Sequence, residues 1–155
     1  MSITVELVVQ PTPEVHHLIG ELNDLLGAVY EPHQRHGLSV DQLFEPHVRF
    51  FLARLDGIAV GCGGVALFDD YAEVKRMYTR PAARGLGSAK ALLGKMENEA
   101  RAAGIYLLRL ETGIHQREAI GLYESVGFRP CGPFGKYATM PANKIESSVF
   151  YEKGL

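Results

Sequence analysis

The sequence predicts a single α/β domain whose central sheet is mixed, antiparallel in its first half with one parallel junction, and flanked by helices. Three observations carry that prediction. Asp56-Gly57 separates two strand-like runs and is the strongest short signal for an antiparallel hairpin, because both turn positions need positive φ. The stretch from Ala72 to Glu111 reads strand, helix, strand, which makes its two strands parallel and adjacent. The chain has 155 residues, 46% of them hydrophobic and 22% charged. That is the balance of one compact domain over 1–155, able to bury roughly 70% of its unfolded surface without a disulfide or metal.

Ile3 to Val9 is rich in β-branched residues and reads as a strand ended by Pro11. Thr12 is a candidate N-cap with Pro13 at the first helical position. Val15, Leu18, Ile19, Leu22, Leu25 and Leu26 then recur at helical spacing, so one face of this helix must be covered. Tyr30 to Gly37 is polar and His-rich, a surface connector, after which Ser39 and Gln42 stand at capping-box spacing and open a short helix. Val48 to Leu55 and Ile58 to Leu67 are the hairpin strands. Gly61, Gly63 and Gly64 weaken the second unless a bulge or a close backbone approach uses them. A third strand, Ala72 to Thr79, follows the Asp69-Asp70 turn.

Beyond Pro81 the period changes. Leu86, Ala89, Leu93, Met96, Ala100 and Ala103 recur at steps of three and four, and Gly104 supplies a C-cap. Ile105 to Glu111 is a mostly apolar strand, and Ala119, Leu122, Tyr123 and Val126 make another helix stopped by Gly127. The remainder, with Pro130, Pro133 and Pro141, reads as a loop before a final strand from Ser147 to Lys153.

Sixteen Lys and Arg against eighteen Asp and Glu leave a formal net charge of -2, so no global basic field draws the chain to nucleic acid. No run approaches the roughly 18 apolar residues of a membrane span. The opening MSITVELVVQPTPE lacks a basic then apolar leader, so no membrane association and a cytoplasmic location are expected. Cys62 and Cys131 lie outside any CxxC or Cys/His spacing, and His16, His17, His33, His36 and His47 match no ligand spacing, so no metal is expected.

Glycine is over-used, at 17 of 155 residues, against about 7% in an average chain. Its sharpest cluster, Arg84-Gly85-Leu86-Gly87-Ser88-Ala89, lies between a strand and the start of a strongly periodic helix. A helix's first turn leaves backbone N–H groups unpaired and carries the positive end of the macrodipole, so small residues there let a phosphate approach. Arg80, Arg84 and Lys90 add cationic charge. The P-loop pattern is absent, and the Rossmann fingerprint would need a glycine where Lys90 stands. The segment does match R-x-x-G-x-[GA], the acyl-CoA pyrophosphate motif of the GNAT superfamily of N-acetyltransferases, with Arg84, Gly87 and Ala89 at its fixed positions. The run AEVKRMYTRPAARGLGSAKALL, from Ala72 to Leu93, resembles that family's strand, loop and helix. EAIGLYESVGF, from Glu118 to Phe128, resembles its following helix and turn.

The resemblance implies a GNAT-like sheet whose parallel pair splays to receive the pantetheine arm, with acetyl-CoA (coenzyme A) as co-substrate. It implies cofactor contacts from Met77, Tyr78 and Thr79, from Arg84, Gly85, Leu86, Gly87, Ser88 and Ala89, and from Gln116, which stands where the family often has Asn. Acyl transfer from a thioester to an amine needs a base for the amine, polarisation of the carbonyl and a proton for the departing thiolate. Tyr123 is implied as the acid, since a phenol near pKa 10 keeps its proton at neutral pH, with a core aromatic as the alternative. Glu73 resembles the family's glutamate that takes the amine proton through water, with an ion pair to Lys75 or Arg76 as the alternative. Glu111 is its rival, at the carboxyl end of the neighbouring strand where ligands of such sheets gather.

On the acceptor side, His115 is a candidate to face the substrate, with a solvated loop group as the alternative, and Phe134, Lys136 and Tyr137 form a turn where the family's acceptor pocket is often completed. Lys136 or Arg76 suits a carboxylate-bearing acceptor. The expected function is transfer of an acetyl group to a primary amine of a small molecule, since no basic patch or added module docks a macromolecule. A non-catalytic acyl-CoA sensor, a nucleotide-binding module, and acetylation of a protein lysine or N-terminus are the alternatives. The family frequently forms dimers, so a homodimer is also implied.

Overall fold

The computed structural model describes residues 2–155. Its elements in chain order are β1 (Ile3–Val8), α1 (Pro13–Gly27), β2 (Val48–Leu55), β3 (Ile58–Leu67), β4 (Ala72–Thr79), α2 (Ser88–Ala102), β5 (Leu107–Gly113), α3 (Arg117–Ser125), β6 (Arg129–Cys131), α4 (Ala142–Ile145) and β7 (Ser148–Gly154). The strands form one seven-stranded sheet in the order β1-β2-β3-β4-β5-β7-β6. Every neighbouring pair is antiparallel except β4 and β5. None of the described helices is long and apolar enough to cross a membrane.

Local chemistry explains most of the boundaries. The hydroxyl of Thr12 accepts the N–H of Val15 (3.3 Å) and starts α1. Asp56 (φ 49°) and Gly57 (φ 87°) make the hairpin turn in the left-handed conformations it requires. Ser39 and Gln42 form both bonds of the capping box, Ser39 N–H to Gln42 Oε1 (2.9 Å) and Gln42 N–H to Ser39 Oγ (3.3 Å), although the element they open is a single 3₁₀ turn, Gln42–Phe44.

The apolar faces sort into two layers about the sheet. Val15, Leu18, Ile19 and Leu22 of α1 pack with Phe50, Leu52, Cys62 and Tyr78 on one side. Leu92, Leu93, Met96 and Ala100 of α2 pack with Phe51, Val65, Val74, Leu108 and Leu110 on the other, joined by Tyr123 of α3. β2 therefore alternates between layers, as a strand covered on both faces must.

The largest differences from the sequence reading lie at the start of β5, along α2 and after Gly127, while strand ends elsewhere shift by one or two residues. β5 begins at Leu107 rather than Ile105, because Gly104 (φ 76°) and Ile105 close α2. Their N–H groups bond Arg101 O (2.9 Å) and Ala100 O (2.8 Å) in a Schellman arrangement, so Ile105 is used before the strand starts. The buried stripe of α2 is Ser88, Leu92, Leu93, Met96 and Ala100. Leu86 precedes the helix and Ala103 is exposed. The segment read as a loop after Gly127 contains β6, a 3₁₀ turn over Gly135–Thr139 and α4. Pro130 is tolerated because β6 is an edge strand.

The parallel junction is short. β4 and β5 pair only at Ala72–Leu108, Glu73–Arg109 and Val74–Leu110, and both strands then run on unpaired to each other. On the other edge of β4, Lys75 pairs Gly64 while Tyr78 pairs Cys62, so Arg76 and Met77 together oppose Gly63. This is a β-bulge, with Arg76 at φ 55°. A Cβ on Gly63 would overlap Met77 Sδ and Met96 Cε, so the glycine that weakens β3 in the sequence is what lets the bulge pack.

Candidate active site

Where β4 and β5 part, the sheet opens into a cleft of about 870 Å³, within the size range of small-molecule and cofactor sites. Met77, Tyr78, Thr79, Arg84, Gly85, Leu86, Gly87, Ser88, Ala89, Gln116 and Tyr123, the residues assigned from the sequence to a cofactor, all line it. Arg80 N–H bonds Val60 O on β3 (2.8 Å), so by the period of two the N–H groups of Met77 and Thr79 face the other way, into the gap that β5 has left. Thr79 O, facing the same gap, accepts Arg84 Nε (3.1 Å). The Tyr78 side chain belongs to the α1 layer, where its hydroxyl donates to Glu21 Oε1 (3.0 Å).

At the head of the cleft, Gly85 (φ 79°) and Gly87 (φ 94°) hold the turn in conformations that favour glycine, and Gly87 is the N-cap of α2. The first backbone bond of the helix runs from Ala91 N–H to Gly87 O (3.0 Å), which leaves the N–H groups of Ser88, Ala89 and Lys90 without helical acceptors. Ser88 Oγ is buried beside them with no partner among the described residues. Together these donors form a cradle for an anion. Arg84 stands at its edge, with Nη1 donating to Glu118 Oε2 of α3 (3.2 Å). Arg80, counted from the sequence among the cations of this turn, is instead held by Glu21 (Nη2 to Oε2, 2.9 Å) and does not line the cleft.

A smaller cavity of about 120 Å³ adjoins the cleft and shares Leu22, Met77, Gln116, Ala119 and Tyr123 with it. Its remaining wall includes Tyr30, Arg35, His36, Lys75, Arg76 and Glu111. Tyr123 sits at the junction, its ring edge-on to Phe128 (centroids 5.6 Å). Burial, reinforced by Glu111, pushes its phenol well above the ordinary value, so it stays protonated. Burial likewise pushes the Glu111 carboxyl above the usual carboxylate range. A hydrogen bond from Ser148 Oγ to Oε2 (2.5 Å) and the charges of His36 and Lys75 pull the other way. Tyr30 ties the rim together, donating to Gln116 Oε1 (3.0 Å) and accepting His115 N–H (3.0 Å). Gly113 admits that hydroxyl, since a Cβ there would overlap it.

Other predicted residues lie elsewhere. Glu73, expected to take the amine proton, is only 4% exposed and lines neither cavity. Its Oε2 accepts Lys75 Nζ (3.2 Å) and Tyr137 OH (2.7 Å), so the ion-pair alternative describes its position. Phe134 and Tyr137, expected in the acceptor pocket, form a separate aromatic core with Phe150, and Lys136 is exposed outside both cavities. Tyr137 stands behind the small cavity, in contact with two of its wall residues: Lys75, whose Nζ donates to its hydroxyl (3.1 Å) and to His36 O (3.0 Å), and the His36 ring, edge-on at 5.5 Å between centroids. His115 lines the large cleft rather than the small cavity. Sequence reasoning misses Tyr30 and Arg35; the available signal is that Tyr30, 6% exposed in the fold, is the lone aromatic of the polar connector.

With that geometry in place, the comparisons with known proteins agree. The model of the acetyltransferase (GNAT) family matches residues 17–128. The chain is 44% identical over 143 residues to an IAA acetyltransferase of Azospirillum brasilense, covering 91% of this chain and 90% of that one. A Klebsiella pneumoniae crystal structure assigned to the acyl-CoA N-acyltransferases superposes with a TM-score of 0.82 at 33% identity, covering 99% of this chain and 97% of the other. A GNAT family acetyltransferase of Elizabethkingia anophelis, solved with acetyl-CoA bound, shares the fold (TM-score 0.69, 21% identity, coverage 99% and 98%). The splayed parallel pair, the glycine turn at the head of α2 and these likenesses lead to one conclusion: the chain belongs to the GNAT family of acetyltransferases, which are acyl-CoA-dependent transferases.

Proposed function

We propose that the protein, with 1–155 acting as one domain, moves an acetyl group from acetyl-CoA directly to the amine of a small molecule, with Glu111 as base and Tyr123 as acid. The observation that carries this reading is that the two groups line one small cavity, and that this cavity meets the cofactor-sized cleft at Tyr123 itself. When bound, acetyl-CoA supplies an acyl group already activated as a thioester. The residues present suit it. The free N–H groups of Ser88, Ala89 and Lys90 and the unpartnered Ser88 hydroxyl match a diphosphate, and the open β4 edge at Met77 and Thr79 matches a chain of amides.

The acceptor enters as an ammonium with a pKa near 10.4, so the site needs a base better than a solvent-exposed carboxylate. Glu111, whose carboxyl burial holds above its usual range, meets that need. Tyr123 remains loaded with its proton at neutral pH and is the donor for the leaving sulfur. Over one turnover the ammonium gives up two protons: Glu111 takes one and releases it to water, and the other restores the proton that Tyr123 has handed on. A β4 N–H facing the gap is the donor available to the acyl oxygen. The size of the small cavity, about 120 Å³, favours a small acceptor over a protein segment.

The test is thermal unfolding of the purified protein with acetyl-CoA, coenzyme A, ATP and NAD in parallel, followed by thiol release with a panel of small amines. Stabilisation by acetyl-CoA and coenzyme A alone, with amine-dependent thiol release, is expected. A response to ATP or NAD, or no response at all, overturns the reading.

A further inference from the structure

The small cavity holds more positive charge than its own acid neutralises. Arg35, Lys75 and Arg76 line it, against Glu111 alone, with the His36 ring beside them. Lys75 is accounted for, since its three donor positions go to Glu73, Tyr137 and His36 O. The two guanidinium groups are not. Among the described residues, Nε of Arg35 and Nε of Arg76 are buried with no hydrogen-bond partner. Arg76 Nη2 reaches only the neutral amide oxygen of Asn23. Burial lowers the Arg76 pKa, Cys62 opposes that shift and the like charge of Arg35 adds to it, with no carboxylate among the causes.

The backbone beside Arg76 leaves space for its side chain. A Cβ on Gly37 would overlap Arg76 Nη1, so this glycine makes room for the fork. Arg76 also occupies the left-handed position of the bulge (φ 55°), a conformation that costs a non-glycine residue energy and that tends to persist where a site uses the side chain it aims. Two half-buried guanidinium groups without a counter-ion are unfavourable by themselves, and an anion shared between them relieves that cost through charge-assisted hydrogen bonds.

We propose that Arg35 and Arg76 form a carboxylate subsite, so that the acceptor is a small amino-carboxylate held by its carboxylate on the two guanidinium groups with its ammonium toward Glu111 and Tyr123. This rests on the acetyl-transfer reading above and specifies its substrate class. The charges of the cavity divide in the matching sense: its one acid lies on β5 beside Tyr123, and its two unpaired cations lie on the connector and the bulge. A neutral amine would leave both guanidinium groups unanswered.

The experiment is calorimetric binding of the common L-amino acids, β-alanine and γ-aminobutyrate, each beside its own carboxamide, to the intact protein saturated with coenzyme A. At least one carboxylate should bind about tenfold or more tightly than its amide, as expected for an anion on a guanidinium fork. That preference should fall to near unity in Arg76→Gln and in Arg35→Gln, with coenzyme A affinity unchanged in both. Arg35 lies on the connector outside the sheet, so its variant reads the same preference should Arg76→Gln not fold. A set in which no carboxylate is preferred over its amide overturns the subsite, whether both bind or neither does. If the amides are then acetylated, the acetyl-transfer reading stands without it, whereas failure of the wild-type protein to bind coenzyme A removes both.

Discussion

The two cavities that meet at Tyr123 are made of different materials. The polar donors identified in the large cleft are chiefly backbone, from the N–H groups of the first turn of α2 and the open edge of β4, shaped by two glycines at positive φ. The small cavity is mostly side chain, with Tyr30 and Arg35 from the connector, Lys75 and Arg76 from the bulge region and Glu111 from β5. A site of backbone donors depends on local conformation, so a few adjacent residues define it and few substitutions retune it. A site of converging side chains depends on the tertiary fold, and each member can change without moving the sheet. On the proposed reading the first half fixes the donor, and the second is where acceptor choice resides.

The comparison is broken most directly at Gly87. Gly87→Glu puts a side chain at a left-handed φ, a strain of about 1–2 kcal/mol, and a carboxylate where an anion must sit; coenzyme A affinity should fall roughly 100-fold or more. Unchanged affinity in calorimetry would remove the phosphate-site assignment. At the junction, Tyr123→Phe should leave acetyl-CoA affinity intact while slowing turnover roughly 100-fold, the lower range for a proton-transfer group. Equal turnover in the two proteins would return Tyr123 to the core.

Behind the small cavity, Lys75→Met leaves Glu73 buried with only Tyr137 as partner. Breaking a buried pair from one side typically costs about 3–5 kcal/mol, to be read from urea unfolding of the ligand-free protein. A loss below about 1 kcal/mol would show the pair to be dispensable to the fold.

The smallest effect sharpens the comparison by sign. Burial raises the folded pKa of Glu111 above its unfolded value, so the proton is bound more tightly in the native state. Its contribution to stability is then present below the unfolded pKa and lost as pH rises through the folded one. Glu111→Gln cannot ionise, so its Tm should rise relative to wild type by a few degrees at most on going from about pH 4 to about pH 8, while its turnover falls. A Tm difference that does not move with pH would contradict the raised carboxyl.

Legibility in the sequence divides along the same line. Arg84 to Ala89 is six consecutive residues whose geometry is set by their own glycines and the helix they start, and all six line the cleft. The hairpin at Asp56-Gly57 and the parallel junction are readable for the same local reason. Arg35 and Tyr30 are not, because nothing near them in the chain marks a connector that folds back over β4 and β5. Phe134 and Tyr137 mislead in the opposite direction: an aromatic turn after the helix looks like a pocket wall, yet those rings find Phe150 and Tyr71 and close on one another. Glu73 sits next in the strand to Val74, but its neighbour two positions on, Lys75, captures it.

The bulge at Arg76 acts on β4 as a frameshift acts on a message. Ahead of it, the even-numbered residues Ala72 and Val74 pack in the α2 layer; after it, the even-numbered Tyr78 packs in the α1 layer and Met77 takes the α2 side. One strand thus serves both layers in turn, and the extra residue is what brings the rest of the strand into the second frame. Removing a single residue between Lys75 and Met77 would leave Lys75 opposite Gly64, Met77 opposite Gly63 and Tyr78 opposite Cys62, a regular ladder with each of these side chains in its present layer, and would take away the bulge that turns β4 from β5. This stretch should accept exchanges of side chain more readily than any change of length, because its spacing, more than its chemistry, keeps the sheet open.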